Sequence, residues 1–116
     1  MNTPVSFELA KLLKEKGFDE VCQQWYSVEG GLYYQDEFDN NRGFIPVCEC
    51  EAPTIAEVVM WLYEKHKIWI GVEASDDFTM FCFRVRKKEV SRLSFNYNLP
   101  TEAYEAAIEY TLKNLI

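Results

Sequence analysis

Four cysteines and a single histidine are the residues of this chain whose chemistry could build a metal site. Cys48-x-Cys50, with Cys22, Cys82 and His66, would supply enough sulfur and nitrogen ligands for a tetrahedral zinc ion. Zinc knuckles usually separate their cysteines by two to four residues, because that turn points both sulfurs at one ion. The alternative is buried cysteines that behave as small hydrophobic side chains. The spacing favours this alternative, so the sequence predicts no metal and no cofactor.

Catalysis by a histidine base would have to use His66. It lies between Lys65 and Lys67 near the expected end of a helix, where a histidine interacts favourably with the helix dipole. No nucleophile motif is linked to it, and no phosphate-binding, dinucleotide-binding or hydrolase motif occurs in the chain. We therefore expect a protein that is not an enzyme. The alternative is an unrecognised site built on His66 or Cys48.

Carboxylates at Asp36, Glu37 and Asp39 begin a polar segment that superficially resembles a calcium loop. Calcium loops need oxygen ligands at alternating positions, a central glycine and a terminal glutamate, and Asn41 and Gly43 do not fit that register. A solvated surface loop is the better prediction.

A candidate partner surface comes from two neighbouring strand patterns. Arg84, Arg86 and Lys88 alternate along one predicted strand, so their side chains share a face. Trp69 alternates with the apolar residues of the preceding strand, so we expect it near Arg84 or Arg86, with an arginine stacked on the indole. Tryptophan and arginine are enriched at the energetic centres of interfaces. The sequence predicts partner binding by Trp69, Arg84 and Arg86; the alternatives are charges that protect a sheet edge and a tryptophan in the core.

Composition limits the remaining classes of function. The 116 residues carry a formal net charge of −7 and are 48% hydrophobic, which is typical of one folded domain, here residues 1–116. The acidic surface repels phosphates at long range and counts against nucleic acid as a partner. No apolar run is long enough to cross a bilayer and no signal-peptide pattern is present, so we expect no membrane association and a cytoplasmic protein with reduced thiols.

Three amphipathic segments are predicted as helices. The first runs from about Pro4 to Lys16 and ends at Gly17 in the left-handed conformation. The second begins with a T-x-x-E capping box and continues to His66, and the third follows Pro100. Each start has a threonine that can cap the helix: Thr3, Thr54 and Thr101.

The strand patterns set the fold class. Aromatic runs on either side of Glu29-Gly30-Gly31 predict a hairpin, and Pro46 restricts the strand that follows to an edge or a bulge. Ile68–Ala74 predicts a strand that pairs with a central strand starting at Phe78, and Ser94–Tyr97 predicts a short further strand. The fold is predicted as α+β, a mainly antiparallel sheet of four to six strands with three helices in the order α-ββ(β)-α-ββ(β)-α.

Three segments also carry a family resemblance: Leu9–Phe18, Pro53–His66 and Thr101–Ile108. In this order they resemble a large set of small, uncharacterised proteins encoded by bacteriophages and prophages of gut Bacteroidetes. The resemblance implies a phage-derived or prophage gene product that works in the cytoplasm of a bacterial host. It brings no activity and no catalytic residues.

We expect a non-enzymatic module that binds an unidentified partner protein. One alternative is association with nucleic acid through the basic strand. Another is an acidic decoy of a DNA-binding protein, with Glu102, Glu105 and Glu109 placed like phosphates on one helix face. The third is the enzyme with an unrecognised site.

Overall fold

The computed structural model describes residues 2–35, 46–88 and 90–116. The chain divides into two compact units. The N-terminal unit is Pro4–Pro53, and the C-terminal unit is Thr54–Ile116 together with the first residues of the chain. That residues 1–116 fold as one domain stays a prediction.

The N-terminal unit contains one helix and a small sheet. Its elements are α1 (Phe7–Glu15), β1 (Gln24–Ser27), β2 (Leu32–Tyr34) and β3 (Cys48–Glu51). The strands are antiparallel in the order β2-β1-β3, which confirms the predicted hairpin and places β3 at an edge. The sequence predicted an edge strand or a bulge here, and the register of the β1–β3 pair also shifts between Tyr26 and Ser27.

Helix α1 begins later than the sequence predicted. The predicted start at Pro4 is wrong, because the backbone N–H of Val5 donates to the carbonyl of Pro53 (2.9 Å) and is held outside the helix. Ser6 is the N-cap instead of Thr3, and its hydroxyl accepts a hydrogen bond from a first-turn N–H (3.3 Å). The predicted end is confirmed, since Gly17 follows the helix with φ +96°.

The C-terminal unit contains two helices and a second sheet. Its elements are α2 (Ile55–His66), β4 (Ile68–Ala74), β5 (Phe81–Lys87), β6 (Val90–Tyr97) and α3 (Pro100–Asn114). The antiparallel order β4-β5-β6 confirms the central position that was predicted for β5. Both helices pack on the same sheet, and the side chains they bury with it form the core of this unit: Ile55, Val58, Leu62, Ile68, Ile70, Val85, Ile108 and Leu112.

Three boundaries of the C-terminal unit differ from the prediction. β5 starts at Phe81 rather than Phe78, because a longer turn precedes it. β6 extends well ahead of its predicted start at Ser94. Thr101 does not cap α3: Pro100 occupies the first helical turn, which its fixed φ suits, so Leu99 becomes the N-cap without a side-chain hydrogen bond.

The α+β class and the predicted order of helices and strands are confirmed. The six described strands form two three-stranded antiparallel sheets rather than one. No helix within the described ranges is long and apolar enough to cross a membrane.

Candidate functional site

The three residues of the predicted partner surface lie together on β4 and β5. Trp69 pairs directly with Arg86 across the two strands, and Gly71 pairs with Arg84. These positions alternate with the apolar residues that α2 and α3 bury, so they lie on the other face of the sheet. Trp69 is 47% exposed, which contradicts the alternative that it is a core residue.

Trp69 contacts an aromatic side chain that the sequence reasoning did not include. Its ring lies edge-on to the ring of Tyr63 in α2, with centroids 5.7 Å apart. The ammonium of Lys67 lies 5.4 Å from the centroid of Tyr63. The expected stack of an arginine on the indole is wrong for the described part of the chain, where the cation–π contacts do not include Trp69.

Arg84 is the other unusual member of this surface. The carboxylate of Glu73 lies 4.0 Å from its Nε, within reach of an ion pair but too far for a hydrogen bond. Nε is buried and has no hydrogen-bond partner among the described residues. A Cβ built on Gly71, the pairing partner of Arg84, would meet no atom within 4 Å, so the surface beside the arginine is open.

We call this surface the open-face patch: Tyr63, Lys67, Trp69, Arg84, Arg86 and Leu93. Leu93 of β6 pairs with Arg84 and is an exposed large apolar residue. Tyr63 could have been found from the sequence, because it falls outside the helical repeat of Ile55, Val58 and Leu62 that α2 buries. Leu93 had no such signal, since the predicted strand began only at Ser94, whereas β6 begins earlier and pairs Leu93 with Arg84.

Lys88, the third residue of the predicted stripe, and the neighbouring basic residues Lys87 and Arg92 lie elsewhere. Lys88 follows β5 in a turn with φ +52° and so leaves the strand face. Lys87 donates from Nζ to the carbonyl of Leu115 at the end of the chain (2.9 Å). Arg92 pairs with a buried position of β5, and its guanidinium lies 5.7 Å from the ring centroid of Tyr110 in α3. The open face therefore carries two arginines rather than a continuous basic stripe.

The cysteines belong to different surroundings. Cys22, Cys48 and Cys50 are in the N-terminal unit, and Cys82 is in the C-terminal unit; all four are free thiols. Burial, with the nearby charge of Glu49, raises the pKa of the Cys50 thiol to about 11. Cys48 is exposed, but partial desolvation of its sulfur and the nearby charge of Glu51 also raise its pKa. Thiols in this state are poor ligands and poor nucleophiles at neutral pH.

Within the described ranges, no three histidine, cysteine or carboxylate side chains group closely enough to hold a metal ion. His66 lies in the last turn of α2, as predicted, and its ring lies edge-on to Trp61 with centroids 5.0 Å apart. The acidic segment from Asp36 to Gly43 lies outside the described residues.

The turn between β4 and β5 is organised by one carboxylate. Asp77 Oδ1 accepts hydrogen bonds from the hydroxyls of Ser75 and Thr79, both at 2.7 Å, and from the backbone N–H of Thr79 at 3.2 Å. These hydrogen bonds lower the pKa of Asp77 to about 2. The turn fixes the hairpin register that places Arg86 beside Trp69.

No protein-family profile, curated protein or solved structure matches this chain.

Proposed function

We propose that the protein is a non-enzymatic protein-binding module of phage or prophage origin that works in the cytoplasm of its bacterial host and binds its partner through the open-face patch. The observation that carries the proposal is the half-exposed Trp69 beside Arg86 on the sheet face opposite α2 and α3.

The chemistry of the patch supports binding to a protein. Trp69 and Tyr63 are both 47% exposed and contact each other, so they present a paired aromatic surface to solvent. Tryptophan, tyrosine and arginine are the residue types that most often dominate binding energy at protein interfaces. Arg84 and Arg86 border the aromatic pair, as expected for an apolar centre with a charged rim.

One observation favours association with nucleic acid as a second candidate. Exposed aromatic rings with arginines on an antiparallel sheet face are the arrangement on which single-stranded bases stack. The formal charge of −7 counts against it, because two arginines on the open face have to overcome long-range repulsion of a polyphosphate.

The proposal is tested by affinity capture. Immobilised wild-type protein is incubated with a lysate of a gut Bacteroidetes host, and bound proteins are identified by mass spectrometry. The partner is then purified and titrated calorimetrically against wild type and Trp69→Ala. Phe78→Asn is the control, because it removes an exposed aromatic ring that lies outside the patch.

We expect Trp69→Ala to weaken binding at least tenfold, as for a residue at the energetic centre of an interface, and Phe78→Asn to leave it unchanged. Equal binding of the purified partner by wild type and Trp69→Ala would show that the patch is not the binding surface.

A further inference from the structure

Arg84 carries a charge whose hydrogen-bonding capacity is largely unused. A guanidinium offers five N–H donors in a planar fork that fits a carboxylate with two parallel hydrogen bonds. Among the described residues no group accepts a hydrogen bond from Nε, although this atom is buried, and Glu73 approaches no closer than 4.0 Å. Because solvent does not reach Nε, a carboxylate of a bound segment would bond to the guanidinium through the accessible part of the side chain, which is 35% exposed as a whole.

The surroundings of Arg84 leave room for such a carboxylate. Its neighbour across the strands is Gly71, which has no side chain, and a Cβ at this position would have open space around it. Trp69 lies on the same strand face two positions before Gly71, so a segment bound over Gly71 would contact the indole as well. Arg86, paired with Trp69, supplies a second positive charge at that end.

We propose that the partner segment bound by the open-face patch is an acidic peptide that contains an aromatic residue. One of its carboxylates bonds to Arg84 over Gly71, and its aromatic side chain packs against Trp69 and Tyr63. This inference rests on the proposed protein-binding function and adds the chemical class of the bound segment.

The number of positive charges favours a peptide over nucleic acid. The patch carries Lys67, Arg84 and Arg86, and Glu73 beside Arg84 offsets one of these charges, so its net charge matches the one or two carboxylates of a short acidic segment. A single strand of nucleic acid presents a phosphate at every nucleotide, and each phosphate beyond the patch meets the net negative charge of the chain.

Glu73 gives the proposal a second, opposite consequence. Its carboxylate lies beside Arg84 and competes with the carboxylate of the peptide. Glu73→Gln removes this competitor and one negative charge, so it strengthens binding of an acidic peptide, whereas Arg84→Gln weakens it. A variant that tightens binding cannot be explained by loss of folding.

The test uses fluorescence anisotropy with a labelled, end-capped synthetic peptide of alternating glutamate and tyrosine. The comparison ligands are the same peptide with glutamine for glutamate, and an oligothymidylate. Arg92→Gln is the matched protein control, because it removes the same charge from β6 while its guanidinium lies beside Tyr110 rather than on the open face.

We expect the glutamate peptide to bind wild type at least tenfold more tightly than the glutamine peptide. Arg84→Gln loses about tenfold in affinity, the range for a hydrogen bond to a charged group. Glu73→Gln gains about threefold, as for an exposed ion pair, and Arg92→Gln matches wild type.

Equal affinity for the two peptides, no binding of either, or equal loss in Arg84→Gln and Arg92→Gln would overturn the acidic-peptide proposal. Tighter binding of the oligothymidylate, lost in Arg84→Gln and steeply weakened by salt, would overturn it in favour of nucleic acid. If the captured partner still requires Trp69 while the glutamate peptide does not bind, the acidic-peptide proposal fails alone. If the partner does not require Trp69, the proposed function fails.

Discussion

Replacement of Leu62 by alanine tests whether the inner face of α2 is the core of the C-terminal unit. Leu62 is completely buried, and the N–H of the helix cap at Lys67 donates to its carbonyl, so the residue lies in the last regular turn of the helix. Met60 is on the same helix and 45% exposed. Met60→Ala is therefore a matched control with a similar change in size and helix propensity.

The expected loss follows from the difference in burial. Leu62→Ala removes a fully buried isobutyl group from a site enclosed by α2, β4 and α3, and a packed site relaxes only partly around the space left behind. The free energy of unfolding is expected to fall by about 2–5 kcal/mol. Met60→Ala removes a side chain that is half in water already, and is expected to cost less than about 1 kcal/mol.

The assay is urea unfolding followed by circular dichroism, with tryptophan fluorescence recorded in parallel. A lower midpoint with an unchanged slope identifies a loss of stability rather than a change in the surface exposed on unfolding. Equal midpoints for Leu62→Ala and Met60→Ala would refute the placement of Leu62 in the core. The same curves test the prediction of one domain, because a biphasic transition would show two regions that unfold independently.

Four further predictions follow from other residues. Thr54→Ala is expected to lower the free energy of unfolding by about 0.5–2 kcal/mol, because Thr54 and Glu57 form both hydrogen bonds of the capping box; an unchanged melting curve would contradict this role. Phe78→Asn is expected to raise the free energy of unfolding by about 0.5–1 kcal/mol, because Phe78 is 77% exposed and has φ +60°, a conformation that asparagine adopts more easily. A lower melting temperature of the variant would contradict this prediction. Asp77→Ala is expected to reduce the free energy of unfolding by its full amount above pH 3.8, the ordinary carboxyl pKa, and by progressively less as the pH falls to about 2, because the lowered pKa of Asp77 means that the folded state favours the ionised carboxylate. Urea unfolding of both proteins over this pH range measures the difference. A difference that grows towards low pH would refute the prediction. Iodoacetamide followed by mass spectrometry at neutral pH is expected to modify exposed Cys48 first, and Cys50 slowly because its pKa is about 11; fast modification of Cys50 would show that its thiol is not buried.

The local elements could be predicted from the sequence because short-range chemistry decides them. The capping box needs only Thr54 and Glu57, three residues apart, and both of its hydrogen bonds are present. The end of α1 needs only a glycine able to take a positive φ after the last apolar residue of the helix. In the β4–β5 hairpin, burial alternates at the start of β4, from Ile68 to Ile70, and the turn is built from the hairpin's own polar side chains.

The errors fall where two local signals compete or where a distant residue decides. Thr101 is a good cap, but Pro100 is better placed in the first turn, so the N-cap is Leu99 and α3 begins two residues earlier than a Thr101 cap would place it. Pro4 suits a first turn equally well, yet the hydrogen bond from the Val5 N–H to the Pro53 carbonyl holds Pro4 and Val5 outside the helix. Nothing in the sequence near either residue shows which signal prevails.

The arginines show the same limit at the candidate site. Arg84 and Arg86 were placed correctly by the alternation of β5. Arg92 is just as basic, but it precedes the predicted start of the last strand at Ser94, so the sequence assigned it to no strand face. In the structure β6 includes Arg92 opposite Val85, and its guanidinium lies beside Tyr110. The start of β6 follows from its pairing with β5, which the residue types near Arg92 do not show.

The aromatic part of the open-face patch follows from the short connection between α2 and β4. Lys67 joins them in the left-handed conformation (φ 57°), and its backbone N–H donates to the carbonyls of Leu62 and Tyr63. Because β4 starts at the next residue, Trp69 enters the sheet within reach of the last turn of the helix, and its ring meets Tyr63. The hairpin turn then returns β5 with Arg86 opposite Trp69. The whole patch except Leu93 is thus built within residues 63–86, by one helix cap and one turn. Substitutions elsewhere in the chain can therefore change stability without altering the geometry of this surface, whereas a change at Lys67 or Asp77 is expected to affect it directly.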